Sequence, residues 1–258
     1  MLNWLQGKER GRFLSSEEGK EFFEEVRRRI PIRFDTKEPV GSFIGRKKEL
    51  QELHKVLQNR GQLVISQMAS VTGLGGIGKS ELARKYIKEY SNDYNHNIVW
   101  VNAENEATLI DAFHRLAPDR LRISIKNVDG NEKDIKSIVE EVYAFFDKRK
   151  SLFVFDNAEK SDYLEKFLPL HSLPPGANKP YILITSRING EVWERLGVIE
   201  GVELDVLAEE ETTNFVREVL KDYLNTMDDS QDEMIRQLAV DTLHRFPLAL
   251  QQAVAYIR

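Results

Sequence analysis

The feature that most limits what this chain can fold into is a glycine-rich segment, Gly73-Leu-Gly-Gly-Ile-Gly-Lys-Ser80. It matches the pattern G-x-x-x-x-G-K-[ST], in which backbone N–H groups wrap phosphates, the lysine reaches the β and γ phosphates and the hydroxyl binds Mg²⁺. An apolar run within residues 63–71 precedes the segment, and a helical pattern begins at Lys79. Because a strand, a glycine loop and a helix N-terminus are the parts that a phosphate site needs, the sequence predicts a P-loop. The predicted contact residues are Gly73, Gly75, Gly76, Ile77, Gly78, Lys79, Ser80 and Glu81.

The same segment also has the spacing of a dinucleotide-binding fingerprint, Gly73-x-Gly75-x-x-Gly78. Glu104, after the next predicted strand, stands where such a site would have its ribose-binding acid. A dinucleotide site has no use for Lys79 and Ser80, whereas a triphosphate site requires both residue types. The pattern therefore favours ATP or ADP with Mg²⁺ over a dinucleotide.

Apolar runs alternate with amphipathic helical patterns through the middle of the chain. The runs at 98–101, 152–155 and 181–185 follow the first strand, and 202–204 is a further candidate strand. Runs that are apolar on both faces and separated by helices are typical of a parallel sheet covered on both sides. We predict an α/β fold, a three-layer P-loop NTPase with a five-stranded, mainly parallel sheet.

Three parts of the chain differ in pattern. Residues 1–40 are a charged stretch with one amphipathic helix, which starts near Ser15-Ser16-Glu17-Glu18 and is stopped by Pro31; we expect an N-terminal helical extension or linker. Residues 41–205 form the predicted nucleotide-binding domain. Residues 206–258 carry three helical patterns and no strand signal, which predicts a small all-helical domain.

Composition excludes several classes of function. None of the 258 residues is cysteine, which excludes disulfides, thiolate catalysis and cysteine-based metal sites. The net charge is −5 and the charges are interspersed, which makes nucleic acid an unexpected partner. The apolar runs are shorter than the ~20 residues that a membrane span needs. We expect a cytoplasmic protein without a membrane partner.

Acidic residues at the end of the run 152–155 are candidates for metal binding and catalysis. Asp156 follows that run, where a P-loop protein holds its metal-side carboxylate, although an aspartate here can also cap a loop. With Ser80, it forms the predicted Mg²⁺ site. Many P-loop ATPases place a second acid next, but this chain has Asn157, and an amide cannot accept a proton. Glu159 is the remaining candidate base, so we expect slow hydrolysis or none.

Arg187 follows the strand-like run that ends in Thr185-Ser186. The carboxyl edge of a parallel sheet is where ligands collect, and an arginine there can stabilise phosphoryl charge. We predict that Arg187 contacts a γ-phosphate; the alternative is an arginine that only faces solvent.

These motifs, taken in order, resemble the NB-ARC family of STAND nucleotide switches, which includes plant resistance proteins and animal apoptosome scaffolds. The resemblance rests on five elements that span residues 43–258: Phe43-Ile-Gly-Arg46 with Glu49, the P-loop, residues 152–156, Thr185-Ser-Arg187, and Arg245-Phe-Pro-Leu-Ala-Leu250. The last of these is similar to the family's G-L-P-L-A element.

The resemblance implies an adenine nucleotide switch. ADP would favour a closed form and ATP an open form that assembles into a homo-oligomer, and residues 1–40 offer a site for a signalling partner. Phe43, Ile44, Gly45 and Arg46 would border the adenine, and Pro247 would approach the nucleotide from the helical domain. Core packing of Phe43 and a helix start at Pro247 are compatible ordinary roles.

The chain departs from the family pattern at two positions and at its end. Phe246 replaces the glycine of G-L-P-L-A, and Asn157 replaces the frequent second acid. The family's winged-helix domain and sensor repeats have no counterpart, so we expect a fragment or an unusually short member. Alternatives to the switch are an active ASCE-type ATPase, an ATP-responsive transcription regulator and a scaffold with a vestigial site.

Overall fold

The computed structural model describes residues 16–41, 43, 45–67, 75–169, 179–188, 193, 196, 201–220 and 229–257. The chain divides into two compact units, residues 1–32 and 33–258. The first contains helix α1 (Glu17–Arg29), which begins where the sequence predicts because the Ser16 hydroxyl accepts the N–H of Gly19 at 3.0 Å. In the part of the chain that the structure describes, no helix is long and apolar enough to cross a membrane.

The second unit contains the predicted strands and helices. In chain order its elements are β1 (Arg33–Phe34), α2 (Lys47–Arg60), β2 (Gln62–Gln67), α3 (Lys79–Tyr90), β3 (Ile98–Asn102), α4 (Glu106–Leu116), α5 (Ile135–Phe146), β4 (Leu152–Ala158), α6 (Ser161–Leu164), β5 (Tyr181–Ser186), β6 (Gly201–Leu204), α7 (Glu209–Leu220), α8 (Asp229–Arg236) and α9 (Pro247–Ile257). Short 3₁₀ turns follow α3 and α6, and π-helical turns follow α4 and α8.

All strands of the sheet are parallel, in the order β1-β3-β4-β5-β2-β6. The α/β class is confirmed: the five predicted strands are all present, and the described sheet has one further, very short strand. The extra strand, β1, pairs Arg33 and Phe34 with Ile98 and Val99 at the edge of the sheet. Two residues are too few to produce a period-2 pattern, so this strand was hidden in the stretch predicted as an extension.

The strand order decides which loops meet. β2 lies between β5 and β6, and β5 lies between β2 and β4. Because the strands are parallel, their carboxyl ends reach the same edge, where ligands of open α/β sheets bind. The segments that follow β2, β4 and β5 are therefore neighbours, although they are distant in sequence.

Two of the hydrophobic clusters among the described residues of this unit lie next to the glycine loop and the helical part. One packs α2 and α3 against the strands, and Phe43 and Phe246 lie partly buried against it. The other joins α7, α8 and α9 through nine buried side chains: Leu207, Phe215, Val216, Val219, Leu220, Ile235, Ala239, Leu250 and Val254. Phe246 thus brings the helical part into contact with the core around the sheet. The predicted domain boundaries at about 40 and 205 stay predictions.

Candidate functional site

The described part of the glycine loop has the backbone of an anion site. Gly76 has φ 105° and Gly78 has φ 97°, which are angles that residues with a Cβ rarely adopt. Gly78 is the N-cap of α3, and helix residues begin at Lys79. A glycine has no side chain to cap the helix, so the first N–H groups of α3 and its positive dipole end are directed to the adjoining cavity.

One carboxylate joins the three segments that the sheet brings together. Ser80 Oγ donates to Asp156 Oδ1 at 2.6 Å, and Thr185 Oγ1 donates to the same oxygen at 2.5 Å. A hydroxyl and a carboxylate side by side at the mouth of a P-loop are hard oxygen ligands of the kind that Mg²⁺ prefers. The donor set therefore fits the predicted metal site of Ser80 and Asp156.

A β-bulge in β4 turns Asn157 toward Asp156 and Thr185. The register between β4 and β5 shifts between Phe155 and Ala158, and Asn157 has φ 63°. Asparagine tolerates this left-handed conformation better than most residues, and its N–H donates to Thr185 Oγ1 at 2.8 Å. The bulge places Asn157 at the cavity wall next to Asp156.

Thr185 is the hydrogen-bond centre of this arrangement, and we expect its hydroxyl to contribute measurably to stability. The side chain is 1% exposed, donates to Asp156 and accepts from Asn157. Thr185→Val keeps the shape but leaves the partly buried N–H of Asn157 without its acceptor and Asp156 without one of its donors, which costs about 1–3 kcal/mol. Thermal unfolding should show a melting temperature lower by roughly 2–12 °C.

The matched control is Thr242→Val, at an exposed threonine whose hydroxyl donates to Gln237 O at 3.2 Å. We expect this variant to change stability by less than about 0.5 kcal/mol. Equal melting temperatures for the two variants would contradict the role assigned to Thr185.

Two cations share the phosphate end of the cavity. Burial lowers the pKa of the Lys79 ammonium, and the Arg187 guanidinium lowers it further, whereas the Asp156 carboxylate acts in the opposite direction. Arg187 Nη1 lies 3.8 Å from Glu159 Oε1, with the two side chains 55% and 45% exposed. Lys79 and Arg187 therefore repel each other, and an anion between them would relieve that repulsion.

Both the loop and the helical part line a single cavity of about 340 Å³, a volume within the range of small-molecule sites. Leu248, in the first turn of α9, lies directly over the loop: a Cβ built on Gly76 would come within 2.7 Å of Leu248 Cδ2. Pro247, Leu250 and Gln251 of the same helix also line the cavity, and Leu207 and Phe215 add apolar surface.

The other wall is formed by the segment before α2. Val40, Phe43 and Arg46 line it, and the Phe43 ring lies 6.0 Å from Lys85 Nζ. Val40 N–H donates to Glu81 Oε2 at 2.9 Å, and Arg84 pairs with the other oxygen of the Glu81 carboxylate. Glu81 thus anchors this segment to α3.

The structure brings most of the predicted site residues to the cavity. The predicted residues that line it are Phe43, Arg46, Gly75, Gly76, Ile77, Gly78, Lys79, Ser80, Glu81, Arg187 and Pro247. Asp156 reaches Ser80 by hydrogen bonding, Glu159 lies beside Arg187, and Gly45 precedes Arg46. Ile44 and Gly73 lie outside the described residues.

Sequence reasoning missed a further group of cavity residues, which are Val40, Leu207, Phe215, Leu248, Leu250 and Gln251. Most of them are apolar residues of helical or loop segments, where the pattern indicates only a core position. Leu248 and Leu250 belong to the motif Arg245–Leu250, so their position beside Pro247 was an available signal.

Comparison with known proteins agrees with this geometry. Residues 46–230 match the NB-ARC domain family. A nucleotide-binding leucine-rich repeat (NLR)-like protein of Hyaloscypha variabilis is 23% identical over 231 residues, which are 83% of this chain and 22% of that protein. A probable disease resistance protein of Arabidopsis thaliana is 24% identical over 194 residues, 72% of this chain and 21% of that protein. The chain thus spans about a fifth of the length of these relatives.

Two of the solved structures that resemble this chain illustrate the shared fold at low sequence identity. A Walker-type ATPase of Pyrococcus abyssi has a TM-score of 0.57 at 14% identity, covering 88% of this chain and 71% of that one. The ORC2 protein of Aeropyrum pernix has a TM-score of 0.51 at 14% identity, covering 89% and 71%. The NB-ARC family model matches residues 46–230, which are more than half of this chain, so the chain belongs to the NB-ARC family of P-loop NTPases.

Proposed function

We propose that this chain is the ADP- and ATP-binding switch of a STAND signalling protein, in which the bound nucleotide controls conformation and self-assembly. The observation that carries the proposal is the single cavity walled by the P-loop, the carboxyl edge of the sheet and the first turns of α9. A nucleotide in this cavity would contact the sheet domain and the helical part at once. Its affinity would therefore depend on how the two parts are placed.

Each end of the cavity suits one part of the ligand. The N-terminus of α3 and Lys79 would hold the phosphates, with Ser80 and Asp156 as metal ligands. Bound Mg²⁺ would supply positive charge that neutralises the β and γ phosphates. Val40, Phe43, Leu207 and Phe215 provide an apolar surface for adenine.

Arg187 is the residue that can distinguish ATP from ADP. In the described structure its guanidinium lies near the Glu159 carboxylate at 3.8 Å, a partly exposed pair that contributes little stability. A γ-phosphate would offer a more strongly charged acceptor. Arg187 would exchange Glu159 for the γ-phosphate only when ATP is bound, because ADP has no γ-phosphate. This difference in contacts between the two nucleotides is what a switch requires.

Slow hydrolysis is part of the same proposal. Asn157 occupies the cavity wall beside Asp156, where a base would activate water, and its amide cannot take a proton. The names of the relatives, an NLR-like protein and disease resistance proteins, favour a role in immune signalling. We place the protein in the cytoplasm.

The test is to denature the freshly purified protein and identify any released nucleotide by ion-exchange chromatography. We expect ADP at nearly one equivalent per chain, because a site that closes from both sides releases its ligand slowly. An empty site that turns over added ATP rapidly would instead indicate an active ATPase, with Glu159 or a residue from a neighbouring subunit as its base.

A further inference from the structure

Helix α7 reaches the base-binding side of the cavity through one carboxylate. Glu211 Oε1 accepts the backbone N–H of Arg46 at 2.8 Å, and Oε2 accepts the N–H of Ala208 at 3.3 Å. Arg46 is 5% exposed, and a buried N–H without an acceptor is costly. Glu211 therefore stabilises the first turn of its own helix and pairs a backbone donor of the segment before α2.

Gly45 is adapted to this contact. It has φ 77° and Arg46 has φ 60°, so two successive residues in the left-handed region turn the chain into α2. A Cβ on Gly45 would lie 2.5 Å from Glu211 Oε1, closer than real Cβ contacts allow. The carboxylate can approach Arg46 N–H only because residue 45 has no side chain.

The Arg46 side chain joins the same segment to other parts of the site. Its Nη2 donates to Asp205 O at 2.6 Å, in the connection from β6 to α7, and lies 3.5 Å from Ile77 O of the P-loop. Its Nη1 pairs with Glu49 at 2.9 Å. The segment is thus held by the P-loop on one side and by the start of the helical part on the other.

We propose that Glu211 is a positioning residue of the nucleotide site, which holds the backbone at Gly45 and Arg46 in place beside the cavity and couples affinity for the nucleoside to the placement of α7. The inference rests on the proposed nucleotide-binding function and deepens it. Glu211 is not among the described cavity-lining residues, whereas Phe43 and Arg46 are. Glu211 therefore acts on the ligand indirectly, through Phe43 and Arg46. We expect it to affect the nucleoside end of the cavity and not the phosphate end.

The experiment compares ADP with inorganic pyrophosphate on Glu211→Ala, by calorimetric titration in the presence of Mg²⁺. Loss of a charge-assisted hydrogen bond to a buried N–H should raise the Kd for ADP by about tenfold or more. Pyrophosphate contacts only the P-loop end, so its Kd should stay within about threefold of the wild-type value. This separation is what a merely structural role would not produce.

Three variants serve as controls. Glu211→Gln retains an acceptor oxygen, and we expect ADP affinity close to wild type. In Gly45→Ala the added Cβ displaces the Glu211 carboxylate from the N–H of Arg46. This variant should reproduce the ADP-specific loss although residue 211 is unchanged. Glu210→Ala removes an exposed neighbouring carboxylate of the same helix turn and should bind both ligands normally.

Two results would overturn the inference: unchanged ADP affinity in both Glu211→Ala and Gly45→Ala, or equal losses for ADP and pyrophosphate. If Glu211→Ala does not fold, Gly45→Ala decides the matter by the same ratio, with Glu211→Gln as the reference that keeps wild-type affinity. A wild-type protein that binds pyrophosphate but not ADP would show that the proposed function itself is wrong.

Discussion

Lys79→Ala should abolish the rise in melting temperature that ADP and Mg²⁺ cause in the wild-type protein. A ligand at 100 times its Kd stabilises the folded state by about 2.7 kcal/mol, which is roughly 5–10 °C for a chain of this size. Lys79 begins α3 at the N-terminus that faces the cavity, and its ammonium is the charge that a P-loop places on the phosphates. Thermal denaturation with and without nucleotide measures the effect.

The pKa of Lys79 makes this prediction sharper. Burial and the neighbouring Arg187 lower that pKa, which means that the charged ammonium is disfavoured in the protein without ligand. Removing the charge should therefore leave the unliganded melting temperature unchanged or slightly higher, while the response to nucleotide disappears. A variant that melts much earlier without nucleotide would have lost structure and not a ligand contact.

The control for Lys79→Ala is Lys88→Ala on the same helix. Lys88 is 58% exposed and lies 3.6 Å from Glu38, so its removal should preserve both stability and the nucleotide response. An ADP-induced shift of the same size in Lys79→Ala and Lys88→Ala would refute the assignment of the phosphate site.

Asn157→Asp should increase the rate of ATP hydrolysis by about 10²-fold or more, since a positioned general base contributes 10²–10⁴-fold. Aspartate has the size of asparagine and tolerates the same left-handed backbone, so the bulge at φ 63° and the bond from residue 157 N–H to Thr185 should persist. The change supplies a proton acceptor at the cavity wall beside Asp156. Release of inorganic phosphate under single-turnover conditions measures it.

The double variant Asn157→Asp with Lys79→Ala shows whether the new activity belongs to this site, because it should return turnover to the background. Turnover that stays at the wild-type level in Asn157→Asp would mean that the amide is not what limits hydrolysis. Glu159, 3.8 Å from Arg187, would then be the next position to examine.

Local patterns were sufficient for much of this protein. The helix start at Lys79, the buried strand that carries Asp156 and the G-x-x-x-x-G-K-[ST] loop depend on short-range geometry: glycine φ angles, helix caps and apolar periodicity. The order of five motifs along the sequence is enough to identify the family, and the family match confirms it.

Tertiary structure alone decided how distant segments share one site. The two-residue strand β1 has no periodic signal and exists because Ile98 and Val99 offer it a pairing edge. The hydrogen bond of Thr185 to Asp156 depends on the order of β4 and β5 in the sheet, and the approach of Leu248 to Gly76 depends on how α9 packs. Glu211 reads as one acid among three at the start of α7, and only its placement against Gly45 and Arg46 distinguishes it. Contacts of this kind join residues that are far apart in sequence. Secondary-structure propensity and the spacing of residues within a motif do not tell how close such residues come in the folded protein.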